Sequence, residues 1–200
     1  MTDDMTRRGA LIGLSGGFAA LCAAPGQALT TSGAEQLIDS LVSDVNAVIN
    51  SGRPEREMYA EFEQIIRRYA DMDIVARSVL GADARAASSA QMRAFTDAFA
   101  DYAAQKYGQR FRQFIGGRLE VTDARKVRDF REVTATAYLR GDDPFEVVFL
   151  VSDKSGEEKF FNMYVEGVNM VASERAEIGA MLDRRGGNLN ALIEDLPNTG

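Results

Sequence analysis

The sequence predicts an α+β fold, with helices packed around one antiparallel meander sheet of about four strands. Three observations predict it. Apolar residues recur at helical spacing from Leu37 to about Ile115. From Leu119 to about Val165 they alternate at strand spacing, in segments joined by tight turns. Helical spacing returns beyond Ala172.

Each element follows in order. Leu37, Ile38, Leu41, Val42, Val45, Val48 and Ile49 share one helical face, and Ser51-Gly52-Arg53-Pro54 ends it. Pro54 suits the first position of the next helix, striped by Met58, Phe62, Ile65, Ile66 and Tyr69. A short segment from Asp71 to Leu80 stops at Gly81. A long helix begins at Ser88 or Ser89, with Met92, Phe95, Phe99, Tyr102, Tyr107, Phe111, Phe114 and Ile115 as its stripe. The phase slips near Lys106, which predicts a kink or break around Gly108, and Gly116-Gly117 ends the helix.

Strands follow. Leu119 to Val127 is the first. Val133, Ala135, Ala137 and Leu139 alternate with Thr134, Thr136 and Tyr138 in the second. Gly141-Asp142-Asp143-Pro144 turns the chain. Phe145 to Val151 is apolar on both faces, as a strand covered on both sides would be. After a second turn comes FFNMYVEGVNM, with Phe161, Met163 and Val165 on one face and Phe160, Asn162 and Tyr164 on the other. Tight turns between consecutive strands mean antiparallel pairing. Ser173 is expected to cap a helix with Ile178, Met181 and Leu182 inward, and Asn188 to Leu196 forms a last short helix.

The first residues stand outside this fold. Residues 1–28 read as a signal peptide: Arg7-Arg8, then an uncharged stretch from Gly9 to Ala24, then Pro25-Gly26-Gln27-Ala28 as a small-residue cleavage end. Thr6-Arg7-Arg8-Gly9-Ala10-Leu11-Ile12 resembles a twin-arginine export signal, with Ala10 in place of the usual large apolar residue; an ordinary secretory signal has similar arginines. Cys22 does not read as a lipid anchor, because Leu21 stands where a small residue is needed. Residues 29–200 form a single domain, large enough for its own core.

Composition narrows the chemistry. The chain has no histidine, and its one cysteine falls in the signal segment. Ser–His–Asp and Cys–His catalysis, histidine acid–base work and most zinc sites are therefore excluded. A net charge of −7 argues against nucleic acid and against tight docking on an anionic membrane face. Asp71 with Asp73 reads as a helix cap, and Asp142 with Asp143 as a turn. Gly116-Gly117 and Gly186-Gly187 are helix stops rather than phosphate loops, with no Lys-Ser/Thr pair following. What remains is an inventory of Phe, Met and Tyr around a sheet apolar on both faces. Such a set either closes into an ordinary core or holds an apolar ligand, to whose shape Met adapts well.

The run Phe160-Phe161-Asn162-Met163-Tyr164-Val165-Glu166-Gly167-Val168-Asn169-Met170-Val171, with Arg175 on the helix after it, resembles the signature of the MlaC family of periplasmic phospholipid-binding proteins. Glu166, Gly167 and Arg175 keep the family register. Tyr69 to Gly81 is similar to a second family block, and Gln91, Phe95, Phe99 and Tyr107 match the helix after it. Three positions depart: Phe160 replaces a family Trp, Asn162 an Asp, and Asn169 a Ser.

The resemblance implies a carrier with an apolar lipid cavity between sheet and helices. A diacyl phospholipid has about 30 methylenes; at ~0.8 kcal/mol each, release into water costs roughly 20–25 kcal/mol. Enclosing the tails removes that barrier without any catalytic residue or cofactor. The expected lining is Phe95, Phe99, Tyr102, Phe111 and Phe114 from the helices, Val147, Phe149, Met163 and Val165 from the sheet, and Met170 with Met181 near the closing helix. Gly167 is expected to bend the strand so that the last helix shuts the pocket; Arg175 is expected to pair with Glu166 and lock the strand–helix corner, the alternative being a place near the lipid phosphate. The implied partners are phospholipid, the lipid-binding ring subunit of an inner-membrane ABC transporter, and an outer-membrane lipoprotein complex, all met in the periplasm. Two alternatives stand beside it: a small-molecule enzyme using Asp71 or Tyr102 as acid, and a ligand-free adaptor between envelope proteins.

Overall fold

The computed structural model describes residues 29–110 and 114–199; the predicted signal peptide and Phe111 lie outside them. Helices α1 (Thr31–Ile49), α2 (Glu55–Tyr69), α3 (Met72–Leu80) and α4 (Ser89–Arg110) come first. Strands β1 (Arg118–Val127), β2 (Phe130–Tyr138), β3 (Phe145–Ser152), β4 (Lys159–Val165) and β5 (Val168–Asn169) follow, then α5 (Met170–Asp183) and α6 (Leu189–Asp195). The five strands form one antiparallel sheet in sequence order, so the meander is as expected, with the two-residue β5 added at its edge.

Two apolar cores form. The first lies between α1, α2 and one face of the sheet, and includes Ile38, Val45, Phe62, Val133, Ala135, Val147 and Phe149. Asn46 ties α1 to β1: its side-chain amide donates to the Leu119 carbonyl and accepts from the Leu119 N–H, both at 3.0 Å. Asp44 ties α1 to α2, accepting from the Tyr69 hydroxyl at 2.7 Å and from Arg68 at 2.9 Å. The second core joins α3, α4, α5 and α6 through Val79, Phe95, Phe99, Tyr102, Ile178, Met181 and Leu192. Phe95, Phe99 and Tyr102 run along it with successive ring centroids 5.9 Å apart.

The structure corrects several boundaries. Helix α4 passes through Gly108 to Arg110 without a break. A Cβ on Gly108 would lie 2.9 Å from Tyr59 Cδ1, so this glycine serves the close approach of α2 and α4. Helix α5 begins at Met170, not at Ser173; its cap is Asn169, whose side chain accepts from the Ala172 N–H. Strand register also changes one face assignment. Leu150 pairs with Asn162 but Val151 pairs with Phe160, which leaves Phe161 as the extra residue of a β-bulge. Phe160 therefore joins Met163 and Val165 on the inner face, and Phe161 packs edge-on to Phe130, with centroids 5.9 Å apart, on the other. Among the described residues no helix is long and apolar enough to cross a membrane.

Candidate functional site

Helix α1 lies across β1 and β2 and leaves β3 and β4 uncovered along part of their length. The space that remains is a cavity of about 830 Å³. Its roof is Leu41, Val42 and Val45 of α1 with Phe62, Ile65 and Ile66 of α2. Its floor is Phe145, Val147 and Phe149 of β3 with Phe160, Met163 and Val165 of β4. Two edge-to-face ring pairs shape the walls: Phe149 with Phe160 at 5.6 Å and Phe114 with Phe145 at 6.2 Å. The alternation of β3 and β4 builds this floor, since inner-face residues fall opposite one another: Val147 faces Val165, and Phe149 faces Met163.

Polar groups gather at one end. The β2–β3 turn brings Asp142 and Asp143, and the β4–β5 turn brings Glu166. These turns lie at the same end of the sheet, where the Glu166 N–H donates to the Glu146 carbonyl at 3.0 Å. Helix α5 adds Met170, Ser173, Glu174 and Glu177 from one face, and α4 adds Lys106 and Tyr107. Asp142, Asp143, Glu166 and Val168 are exposed, which marks this end as the mouth.

One network holds α4 to α5 there. The Lys106 ammonium donates to Glu174 Oε1 at 2.8 Å, to the Tyr102 hydroxyl at 3.0 Å and to Glu177. Tyr102 in turn donates to Glu177 at 2.8 Å, and Tyr107 donates to Glu174. Burial alone would lower the Lys106 pKa, but the hydrogen bonds to Glu174, Glu177 and Tyr102 outweigh it and hold the ammonium above the ordinary lysine value. Burial, with the hydrogen bond to Glu177, pushes the Tyr102 phenol up as well. Glu174 is 4% exposed, and its second oxygen, Oε2, is buried and accepts no hydrogen bond from the described residues.

The expected lining divides. Phe114, Val147, Phe149, Met163, Val165 and Met170 face the cavity. Phe95, Phe99, Tyr102 and Met181 do not; they fill the second core, because α4 turns that stripe toward α5 and α6. The sequence reading missed the roof, which periodicity marks only as buried, and Phe160, which the bulge turns inward. It also missed Lys106 and Glu174, although a lysine at the point where the stripe slips is the visible signal.

The motif residues serve the corner between sheet and α5. Glu166 and Gly167 are the two central residues of the β4–β5 turn, with φ of 50° and 77°. Both positive values are what a two-residue hairpin of type I′ requires. Gly167 thus reverses the strand rather than bending it. Arg175 does not pair with Glu166. Its Nε donates to the Ser78 carbonyl in the last turn of α3 at 2.6 Å, and its guanidinium lies over Gly81. A cation at a helix C-terminus is stabilising. Arg175→Ala is expected to cost about 1 kcal/mol, a fall of roughly 2–4 °C in melting temperature. An unchanged melting temperature would contradict this.

Two of the family departures touch each other. Asn162 Nδ2 donates to Asn169 Oδ1 at 3.1 Å, and Asn169 Nδ2 donates to the Tyr164 hydroxyl at 3.1 Å. An aspartate at 162 has no N–H to offer Asn169, so the two asparagines work as a pair. The third, Phe160, is a cavity wall. The candidate acids of the enzyme reading fall elsewhere: Asp71 caps α3 through the Ile74 N–H at 3.1 Å, and the Tyr102 ring is enclosed in the second core.

The comparisons with known proteins agree with this architecture. No curated protein matches the chain. Among solved structures, a phospholipid-binding protein from Ralstonia solanacearum, determined in complex with a phospholipid, superposes with a TM-score of 0.70 at 18% identity. The match covers 82% of this chain and 95% of that one, and it shows a shared fold. The MlaC protein family model matches residues 35–198, so the chain belongs to the MlaC family.

Proposed function

We infer that the protein is a periplasmic phospholipid carrier. It shuttles glycerophospholipids between inner- and outer-membrane complexes and so maintains the lipid asymmetry of the outer membrane. One observation carries the reading: a cavity of about 830 Å³ with apolar roof and floor and a charged mouth. A space of that size lies at the upper end of ligand pockets, which run from roughly 300 to 1,000 Å³. Family membership and the fold shared with a phospholipid-binding protein support it. The activity is binding and transport; nothing in enclosing a lipid calls for a reacting group. The partners that suit it are the ring subunit of an inner-membrane ABC transporter and an outer-membrane lipoprotein complex.

The test is native mass spectrometry of the protein purified from a bacterial periplasm. The expected result is an ion heavier than the chain by one phospholipid. A bare chain that also takes up no lipid from vesicles would overturn the reading and return the ligand-free adaptor.

Export belongs to the same proposal. Leu29, the first residue after the expected cut, is 7% exposed. Its N–H donates to Asp153 Oδ2 at 3.1 Å, and its carbonyl accepts from Arg131 at 2.6 Å. Cleavage after Ala28 converts that amide into an ammonium beside the carboxylate, a stronger bond. Asp153→Asn is therefore expected to lower the melting temperature of the processed protein more than that of the uncleaved precursor. Equal shifts, or N-terminal sequencing that starts elsewhere, would contradict this.

A further inference from the structure

The described residues at the mouth of the cavity are mostly acidic. Asp142, Asp143, Glu166, Glu174 and Glu177 line it, and Lys106 is the one cation among the described lining residues. An ammonium has three donors. All three of Lys106 are committed, to Glu174, Glu177 and Tyr102. No donor of this side chain is left for an anion.

Glu174 is the opposite case. One carboxylate oxygen receives Lys106 and Tyr107, while Oε2, on a side chain that lines the cavity, is buried and receives nothing from the described residues. A buried carboxylate oxygen without a donor is destabilising. Its environment lacks a donor that the cargo can bring.

We propose that this acidic mouth selects phospholipids whose headgroup ends in a primary ammonium, which donates to Glu174 Oε2 and lies among the surrounding carboxylates. The inference rests on the carrier reading above. A primary ammonium supplies both the missing N–H and a compensating charge. A quaternary ammonium supplies the charge without the N–H. A glycerol headgroup supplies hydroxyl donors on a lipid of net negative charge, which the carboxylates repel. The expected order is ethanolamine, then choline, then glycerol.

The experiment offers lipid-free processed protein to vesicles equimolar in phosphatidylethanolamine, phosphatidylcholine and phosphatidylglycerol with matched acyl chains. The bound species are then identified by mass spectrometry. The wild type is expected to hold phosphatidylethanolamine over phosphatidylglycerol by at least about fivefold, with phosphatidylcholine between. Glu174→Gln is expected to bring that ratio close to the vesicle's. Asp142→Asn with Asp143→Asn, in an exposed turn away from the Lys106 network, is expected to lower it by a smaller factor. The ratio is read among bound lipids, so a variant carrying less lipid in total still reports. Bound lipid in the vesicle's own proportions, or enriched in phosphatidylglycerol, overturns the headgroup proposal and leaves the carrier reading standing; the carboxylates would then serve a basic protein partner. A wild-type preference that survives both variants overturns the assignment to this mouth. No bound lipid of any kind overturns both readings.

Discussion

Val147→Trp is expected to empty the protein of lipid while leaving it folded. Val147 sits in the middle of the cavity floor, between Phe145 and Phe149 on β3. An indole there projects into open space and takes the place of acyl chain. If it displaces on the order of five methylenes, at ~0.8 kcal/mol each, retention weakens by about 4 kcal/mol, close to a thousandfold. Ala135 is the control. It faces Val147 from the neighbouring strand but is fully buried in packed core under α1. Ala135→Trp has no space to enter, and overpacking of that size destabilises the fold. The two variants should thus separate cleanly in one pair of assays, bound lipid and thermal unfolding. Equal loss of stability in both would mean that the space above Val147 closes in solution.

Lys106→Met should lower the melting temperature by more than any surface change in this protein. It removes the cation from Glu174, whose side chain is 6% exposed. A buried carboxylate stripped of its partner typically costs 3–5 kcal/mol, roughly 6–20 °C for a domain of this size. The double variant Lys106→Met, Glu174→Leu removes the orphaned charge too, and should recover most of the loss. If single and double variants melt alike, the pair does not carry the junction between α4 and α5. The sign of any pH effect follows from the raised Lys106 pKa. A raised base contributes fully below its unfolded value, near 10.4, and loses its contribution only as pH climbs through the folded one. Lys106 therefore adds no pH dependence near neutrality.

The order of elements was legible because periodicity and turn residues are local. The stripes of α1 and α2, the turn at Gly141 and the alternation of β2 each depend on a few neighbours in sequence. What a buried face packs against is not local. Phe95, Phe99 and Phe149 carry the same signal of burial, yet two fill a closed core and one walls a cavity. The bulge at Phe161 depends on the register against β3, which β4 alone does not encode. Asn169 displaced Ser173 as helix cap because an asparagine after a tight turn offers its side-chain oxygen three residues on, at 3.0 Å from the Ala172 N–H. Lys106 and Glu174 were visible only as charges in apolar stripes, one on each of two helices far apart in the chain.

The division into two cores has a consequence for cooperativity. The roof and floor of the cavity belong to the unit of α1, α2 and the sheet, and α4 and α5 line it only at the mouth, while the second core is filled by its own side chains. If the protein carries lipid as proposed, release leaves the first unit with unfilled volume and the second as it was. Local opening then has two different free energies in one small domain, and only one of them depends on occupancy. Amide hydrogen exchange would show this directly. Amides of α1, β3 and β4 should exchange faster once the lipid has gone, while those of α4 and α5 around Phe99 and Ile178 keep their rates. On the carrier reading, cargo is the interchangeable part of a hydrophobic core.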